Sequence, residues 1–436
     1  MSTPAGTPAS TPVTPGPAEE IVLPEVTVVD RKAAVMFGVL TIALALLLIL
    51  APQEGDTSFR LKAPNDFIEL PTITVPSTAT AWVLTLVCAL CTAAAIVLYT
   101  QKKKTRMWLV IVFALAWMTG FLTWAAAGGT VPVVGLLGGS LAVAVPLVFG
   151  ALGGVLGERA GVVNIAIDGQ LLFGAFAAAM VGSLAGTWAG LGASMVAGLL
   201  VASVLGLFAI RYFVDQVIVG VVLNVLVIGL TSFMFSQVLA PNAASLNSPP
   251  RFRAVPIPVL GEIPLIGPIF FRQTVIVYIL YVTVALVTWT LYRTKWGLRV
   301  RAVGEHPKAA DTVGIKVNRT RFRTILIAGA IAGMGGAFYT LVSVPQFNRE
   351  MTGGAGYIAL AAVIFGKWDP IRATLAALLF GFASNLQGVL SVIGSPVPSQ
   401  FMLMLPYVVT IFAVAGLVGR SRAPAADGIP YRVDGH

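Results

Sequence analysis

The sequence predicts an all-α polytopic membrane protein, and three observations carry that prediction. The 436-residue chain is 57% hydrophobic and only 11% charged, with a mean hydropathy of +0.90. A soluble core of this length carries more charge. Several apolar runs reach the roughly 18–20 residues that a helix needs to cross a bilayer. The net charge of +10 then belongs to loops, because basic residues of membrane proteins gather on the cytoplasmic side. No nucleic-acid partner is called for.

Residues 1–30 are rich in Pro, Thr and Ala and read as a disordered tail. The first apolar run, Ala33–Ala51, follows Arg31 and Lys32. It reads as an uncleaved span, since no basic region opens the chain as in a signal peptide. Eleven further runs follow: Ala81–Thr100, Met107–Ala126, Val131–Leu156, Val162–Leu184, Trp188–Ile210, Val217–Ala240, Thr274–Tyr292, Thr324–Val344, Gly354–Phe365, Pro370–Ile393 and Phe401–Val418. Gly354–Phe365 is too short to cross alone and is expected to be re-entrant or interrupted. Val131–Leu156, glycine-rich and containing Pro146, is a second candidate for a break. Cys88 and Cys91 lie within one run and read as small packing residues. Two cysteines there and the scattered His306 and His436 build neither a disulfide framework nor a metal site.

The loops test this count. With the amino terminus cytoplasmic, "QKKKTR", "GERAG", Arg211, the loop Thr294–Arg323, "KWDP" with Arg372, and "GRSR" all fall inside. The long segments Pro52–Thr80 and Pro241–Gln273 fall outside and carry few basic residues for their length. The alternation agrees with the positive-inside rule and puts both termini in the cytoplasm.

Small residues recur four apart, at Gly329 and Gly333 and at Gly150 and Gly154. This spacing lets helix backbones approach closely in lipid. No G-x-x-x-x-G-K-[ST] loop occurs, so any ATP must be bound by another chain.

The loop "TKWGLRVRAVGEHPKAADTVGIKVNRTRFR" holds eight Lys or Arg and two acidic residues. Pro307 suits a first helical position and Gly314 a left-handed stop. Between them "KAADTV" makes a helix about 10 Å long, too short to persist alone. Ala309, Ala310 and Val313 are expected to form one small apolar face, and Glu305 to cap the helix amino end. The basic residues alone also fit an ordinary topogenic loop.

The stretch "GLRVRAVGEHPKAADTVGI" resembles the cytoplasmic coupling segment of ABC-importer permeases of the branched-chain amino acid, ribose and nucleoside group, most closely the simple-sugar and nucleoside permeases. "GERAGVVNIAIDGQLLFGAF", "VDQVIVGVVLNVLVIGLT" and "MTGGAGYIALAAVIFGKWDP" resemble further segments of that group, in the same order, from about Val131 to Val418. Asp168 stands where the group usually has Glu, and Ala166 where Gly is usual. The resemblance implies a core of about ten helices over 107–419, preceded by a two-span extension at 31–106 and followed by a cytoplasmic tail at 420–436. It implies a coupling element at 294–323 carried by Arg299, Arg301, Gly304, Glu305, Pro307, Ala309, Ala310 and Gly314. It implies no catalytic role and no cofactor on this chain, with ATP and Mg on a partner ATP-binding subunit. A second permease subunit, homologous or identical, and an extracytoplasmic solute-binding protein would complete the importer in the plasma membrane.

Polar residues within spans are costly, so they raise a functional question. Asn164, Asp168, Gln170, Asn224, Asn385 and Gln387 are the candidates for a solute pathway. Asn164 and Asp168, four apart, would share one helix face. They either line a polar path or bind backbone at a broken helix. Glu158 and Arg159 fit a helix-end ion pair or a headgroup contact, and Asp215 fits a pair with Arg211. The few charges within spans suit a neutral solute such as a nucleoside or sugar. The alternative from another class is an ion-coupled secondary transporter of small neutral solutes, which would place carboxylates centrally in several helices.

Overall fold

The computed structural model describes residues 31–62, 70–394 and 422–432, with positions 397, 400, 401 and 404. The Pro/Thr-rich stretch 1–30 and most of the expected last span, Phe401–Val418, lie outside these residues. Among the described residues ten helices are long and apolar enough to cross a membrane. They are α1 (Lys32–Leu50), α2 (Ser77–Thr100), α3 (Met107–Ala125), α4 (Val133–Arg159), α5 (Ile167–Ala185), α6 (Thr187–Gly206), α7 (Gln216–Met234), α9 (Val275–Arg293), α12 (Val317–Phe338) and α14 (Pro370–Ile393). Shorter helices are α8 (Ala243–Leu246), α10 (Lys295–Glu305), α11 (Pro307–Thr312) and α13 (Ala355–Phe365). The helices α6, α7 and α12 run on through wider π-helical turns at Leu207–Arg211, Phe235–Leu239 and Tyr339–Ser343.

Strand is confined to small patches beyond the helix ends. β1 (Asp56–Arg60) pairs antiparallel with β2 (Ile73–Pro76) and parallel with β3 (Thr130–Pro132). β4 (Ala254–Pro256) pairs antiparallel with β5 (Arg272–Thr274).

The most buried helix is α12, wedged between α5 and α6. A Cβ at Gly333 would sit 2.2 Å from the Ser194 carbonyl oxygen, and one at Gly198 2.1 Å from that of Gly329. These are backbone-to-backbone contacts of the kind that glycine at four-residue spacing permits. The expectation drawn from Gly329 and Gly333 therefore holds. Gly150 and Gly154 likewise permit a close approach, here of α13, where added Cβ atoms would sit 2.9 Å from Ala359 and 2.8 Å from Val363 side-chain carbons.

The helices α1, α2 and α3 pack on one another, with Phe37 stacked on Phe113 at 4.0 Å between ring centres. Cys88 and Cys91 are free thiols buried in this cluster, as packing residues. The helix α3, grouped with the core in the sequence reading, takes α1 and α2 as its helix neighbours. Its last turn reaches the core, where Trp124 shares an apolar cluster with Leu386 and Leu390 of α14.

Two expectations about breaks resolve in opposite ways. The helix α4 is continuous across Pro146. Burial among neighbouring helices tolerates the missing donor there. The chain instead breaks one element later: α5 begins only at Ile167, and residues 161–166 are not helical although they belong to an apolar run. The short run is interrupted as expected, with α13 entered through Gly353 and Gly354, both left-handed.

Candidate functional site

The half-helix α13 and the non-helical elbow at 161–166 meet beside α4. Ala359 and Ile167 both approach Gly150, while Val363 and Ile167 approach Gly154. Gly150 is nine residues from the end of α4 at Arg159, about 14 Å at the helical rise. The elbow thus carries irregular backbone well inside the helical layer, where every exposed N–H and C=O must find a protein partner or a wet cavity.

The side chains singled out in the sequence supply those partners. Asn224 of α7 accepts from the Gly169 N–H (2.8 Å) and donates to the Ile165 carbonyl (2.9 Å) and to the Tyr357 hydroxyl (3.1 Å). Asn164 and Gln170 form a closed amide pair, at 3.1 and 3.2 Å, both fully buried. Gln216, which sequence reasoning passed over, accepts the Val163 N–H at 2.7 Å. Asp168 accepts the Gly356 N–H (2.9 Å) and the Thr352 hydroxyl (3.4 Å), so its carboxylate anchors the entry to α13. Asn164 precedes the start of α5, so it does not share a helix face with Asp168. Asn385 stands apart, donating to the Leu136 carbonyl at 2.7 Å. Gln387, half-buried on α14, lies with it, away from the elbow.

Next to this junction is a cavity of about 260 Å³. Ala142, Pro146 and Leu147 of α4, Phe338, Tyr339 and Ser343, Thr352 and Ala355, and Ser384 of α14 line it. Pro146 sits thirteen residues from each end of α4, which places the cavity midway along a roughly 40 Å helix. Proline has no N–H for the carbonyl four residues back, that of Ala142, and both residues line the cavity. Its lining offers four hydroxyls and two aromatic rings, and no charged side chain. None of these hydroxyl residues was singled out in the sequence, because an isolated Ser or Thr in an apolar run reads as packing.

The basic loop is mostly helix. The helix α10, not foreseen, occupies Lys295–Glu305, capped by the Thr294 hydroxyl accepting the Gly297 N–H at 3.1 Å. The helix α11 follows from Pro307, and Gly314 ends the turn with φ of 84°. The expected apolar face of α11 divides. Ala310 is buried with Val303, Val317 and Tyr431, while Ala309 and Val313 are exposed. Glu305 does not cap α11. It accepts the Ala425 N–H at 3.2 Å and lies 3.9 Å from the Arg159 guanidinium. Its position before Pro307 suggested a cap, but the carboxylate turns toward the C-terminal segment instead. Arg301 lies 5.3 Å from the centre of the Tyr292 ring, Arg299 is exposed, and Gly304 packs against the Arg159 carbonyl.

The end of α4 is tied across the same face. Glu158 accepts from the Trp368 indole N–H, and Arg159 donates to the Trp368 carbonyl at 2.8 Å. They therefore hold the turn between α13 and α14 rather than pairing with each other. Asp215 caps α7 through the Val217 and Ile218 N–H groups, at 2.8 and 3.1 Å. Among the described residues no ion pair with Arg211 accompanies it.

A bundle of membrane-length helices with a half-helix bordering an uncharged, hydroxyl-lined cavity has the architecture of a membrane translocation path. Residues 136–414 match the family described as "Branched-chain amino acid transport system / permease component", and the chain belongs to that family. The chain is 41% identical over 306 residues to the guanosine ABC transporter permease protein NupQ of Bacillus subtilis, covering 67% of this chain and 94% of that one. It is 37% identical to the nucleoside ABC transporter permease protein NupC of Lactococcus lactis, over 66% of this chain and 93% of that one. It is 33% identical to the putative glucose ABC transporter permease protein TsgC13 of Haloferax volcanii, over 66% and 93% respectively. No solved structure matches the chain.

Proposed function

We propose that this chain is the translocation subunit of an importer for nucleosides or simple sugars, driven by ATP hydrolysis with Mg on a separate ATP-binding subunit. Two nucleoside-type relatives and one glucose-type relative support the substrate class. The observation that carries the reading on this chain is the uncharged, hydroxyl- and aromatic-lined cavity midway along α4. Its volume falls just under the roughly 300–1,000 Å³ of small-molecule sites. Hydroxyls suit a ribose or a hexose, and the rings of Phe338 and Tyr339 suit a base or a sugar face.

Coupling in this reading runs through α10 and α11. Exposed Ala309 and Val313 face the ATP-binding subunit, Arg299 stays exposed for acidic partner residues, and Gly314 fixes the turn. A rigid knob of this kind passes rigid-body motion to packed helices. Asn164, Asp168, Gln170 and Asn224 act at the solute pathway by holding the elbow and the entry of α13. Asn385 and Gln387 contribute from α14. Both termini are cytoplasmic, a second permease subunit, homologous or identical, completes the pathway, and a solute-binding protein delivers from outside. Membership of the permease family offers nothing in favour of the ion-coupled alternative.

Uptake of labelled guanosine, uridine, adenosine and ribose in cells lacking this chain, against the parent strain, tests the reading. Loss of nucleoside uptake alone assigns nucleosides, and loss of ribose uptake alone assigns sugars. Unchanged uptake of all four overturns the substrate class.

A further inference from the structure

The last described stretch of the chain, residues 422–432, returns to the face that carries α10 and α11. It is bound there at both ends and in the middle. The Ala426 N–H donates to the Gly304 carbonyl at 2.9 Å, and the Ala425 N–H donates to Glu305. The Tyr431 hydroxyl donates to Asp311 of α11 at 2.9 Å, and its ring packs in the apolar cluster of Val303, Ala310 and Val317. The same stretch reaches the elbow. The Ala426 carbonyl lies 2.9 Å from where a Cβ of Gly161 would be, and Gly428 faces Val163. Arg432 completes the path, 5.1 Å from the centre of the Phe213 ring between α6 and α7.

Arg321 shows that this segment is structural. It is 1% exposed and the largest fully buried side chain described. Burying a guanidinium is costly unless its donors are satisfied. Arg321 donates from Nη1 to the Ile429 carbonyl at 2.7 Å and from Nη2 to the Ala426 carbonyl at 3.3 Å, both in the tail, while its Nε has no partner among the described residues. A short helix such as α11, with two turns at most, cannot stand without such support. The one described ion pair between α10 and α4, Glu305 with Arg159, is long at 3.9 Å and half exposed on the Glu305 side, so it contributes little.

We infer that residues 422–432 form a strap that positions α11 and carries its movement to the elbow at 161–166. The strap rests on the coupling reading above. One peptide touches α11 through Tyr431, α10 through Ala425 and Ala426, and the elbow through Ala426 and Gly428. A displacement of α11 therefore reaches the backbone that Asn224 and Gln216 hold. The strap acts by position and contacts no solute.

The test uses the transporter purified with the subunits that accompany this chain and reconstituted in vesicles. It reads labelled guanosine, uridine and ribose taken up per ATP hydrolysed. Deletion of residues 423–436 combined with Arg321→Met removes the strap without stranding a buried cation. Tyr431→Glu sets a like charge against Asp311 and releases only the α11 end, so it reports even where the shortened chain does not assemble. The expected result is ATP hydrolysis within about twofold of wild type, with uptake per ATP about tenfold lower in the deletion and several-fold lower in Tyr431→Glu. Uptake per ATP equal to wild type in either assembled variant overturns the strap and leaves the coupling reading intact. A wild-type complex with no ATP-dependent uptake of any of the three solutes overturns the reading beneath it.

Discussion

Asn224→Leu separates a structural amide from a solute-binding one. Leucine keeps the branched skeleton of asparagine with bulkier methyl groups in place of the amide atoms, so the change opens no cavity and removes the hydrogen bonds, with some overpacking added. The Gly169 N–H and the Ile165 carbonyl, bonded to Asn224 at 2.8 and 2.9 Å, would lose their partner where Asn224 is 1% exposed. Each buried backbone group left without a partner costs about 1–3 kcal/mol. The expected loss is therefore about 2–6 kcal/mol, centred near 4. At roughly 2 °C per kcal/mol, thermal unfolding of the detergent-solubilised protein should fall by about 8 °C. Asn385→Leu is the internal comparison. Its amide donates to the Leu136 carbonyl, which also accepts the Ser140 hydroxyl, so its loss strands no backbone. Hydrogen bonds of that type between membrane helices average about 0.6 kcal/mol, and the shift should stay near 1 °C. Unfolding of Asn224→Leu within 2 °C of wild type, with uptake lost, would refute the argument and make Asn224 a solute ligand.

Gly333→Ala places a methyl 2.2 Å from the Ser194 carbonyl oxygen, so α12 and α6 must separate. Overpacking of this kind costs about 1–3 kcal/mol, read as a fall in the yield and unfolding temperature of the purified protein. Gly314→Val puts a β-branched residue at φ of 84°, and strain of about 1–3 kcal/mol should distort the end of α11. Uptake should fall while the amount inserted in the membrane stays the same. Ser384→Leu fills part of the 260 Å³ cavity and should reduce uptake at least several-fold with no loss of assembly, checked by uptake normalised to purified complex. Burial pushes the Asp427 carboxyl up from 3.8 to about 7, although the Gly428 N–H and Arg321 both pull it down. The folded state therefore binds the proton more tightly than the unfolded one, and the strap weakens as pH rises through this window and no further above it. Limited proteolysis of the C-terminal segment should be slower at about pH 5 than at about pH 8, and Asp427→Asn should reduce the difference.

Nearly every span was legible, because length and apolar composition are local properties of the sequence. The punctuation of α11 was legible for the same reason, since Pro307 and Gly314 act through their own backbones. The elbow was legible only as one of two readings. Asn164 and Asp168 within Val162–Leu184 suggested either a polar path or backbone binding at a broken helix, and nothing local in "GVVNIAID" chose between them or placed the break at 161–166. What replaces the helical hydrogen bonds there comes from Gln216 and Asn224, more than fifty positions along the chain. Glu305 failed for the same reason. A local rule assigned it to the helix two residues on, while its observed backbone partner, Ala425, lies 120 positions away. Both cases concern polar groups in a nearly dry interior, where an N–H or carboxylate must be satisfied by whatever tertiary partner is near. In such a protein the polar residues that sequence patterns can list but not pair are the ones whose pairing decides where a helix breaks. At the elbow that pairing comes from α7, whose Gln216 and Asn224 take up the backbone N–H and carbonyl groups that the missing helical turns leave open.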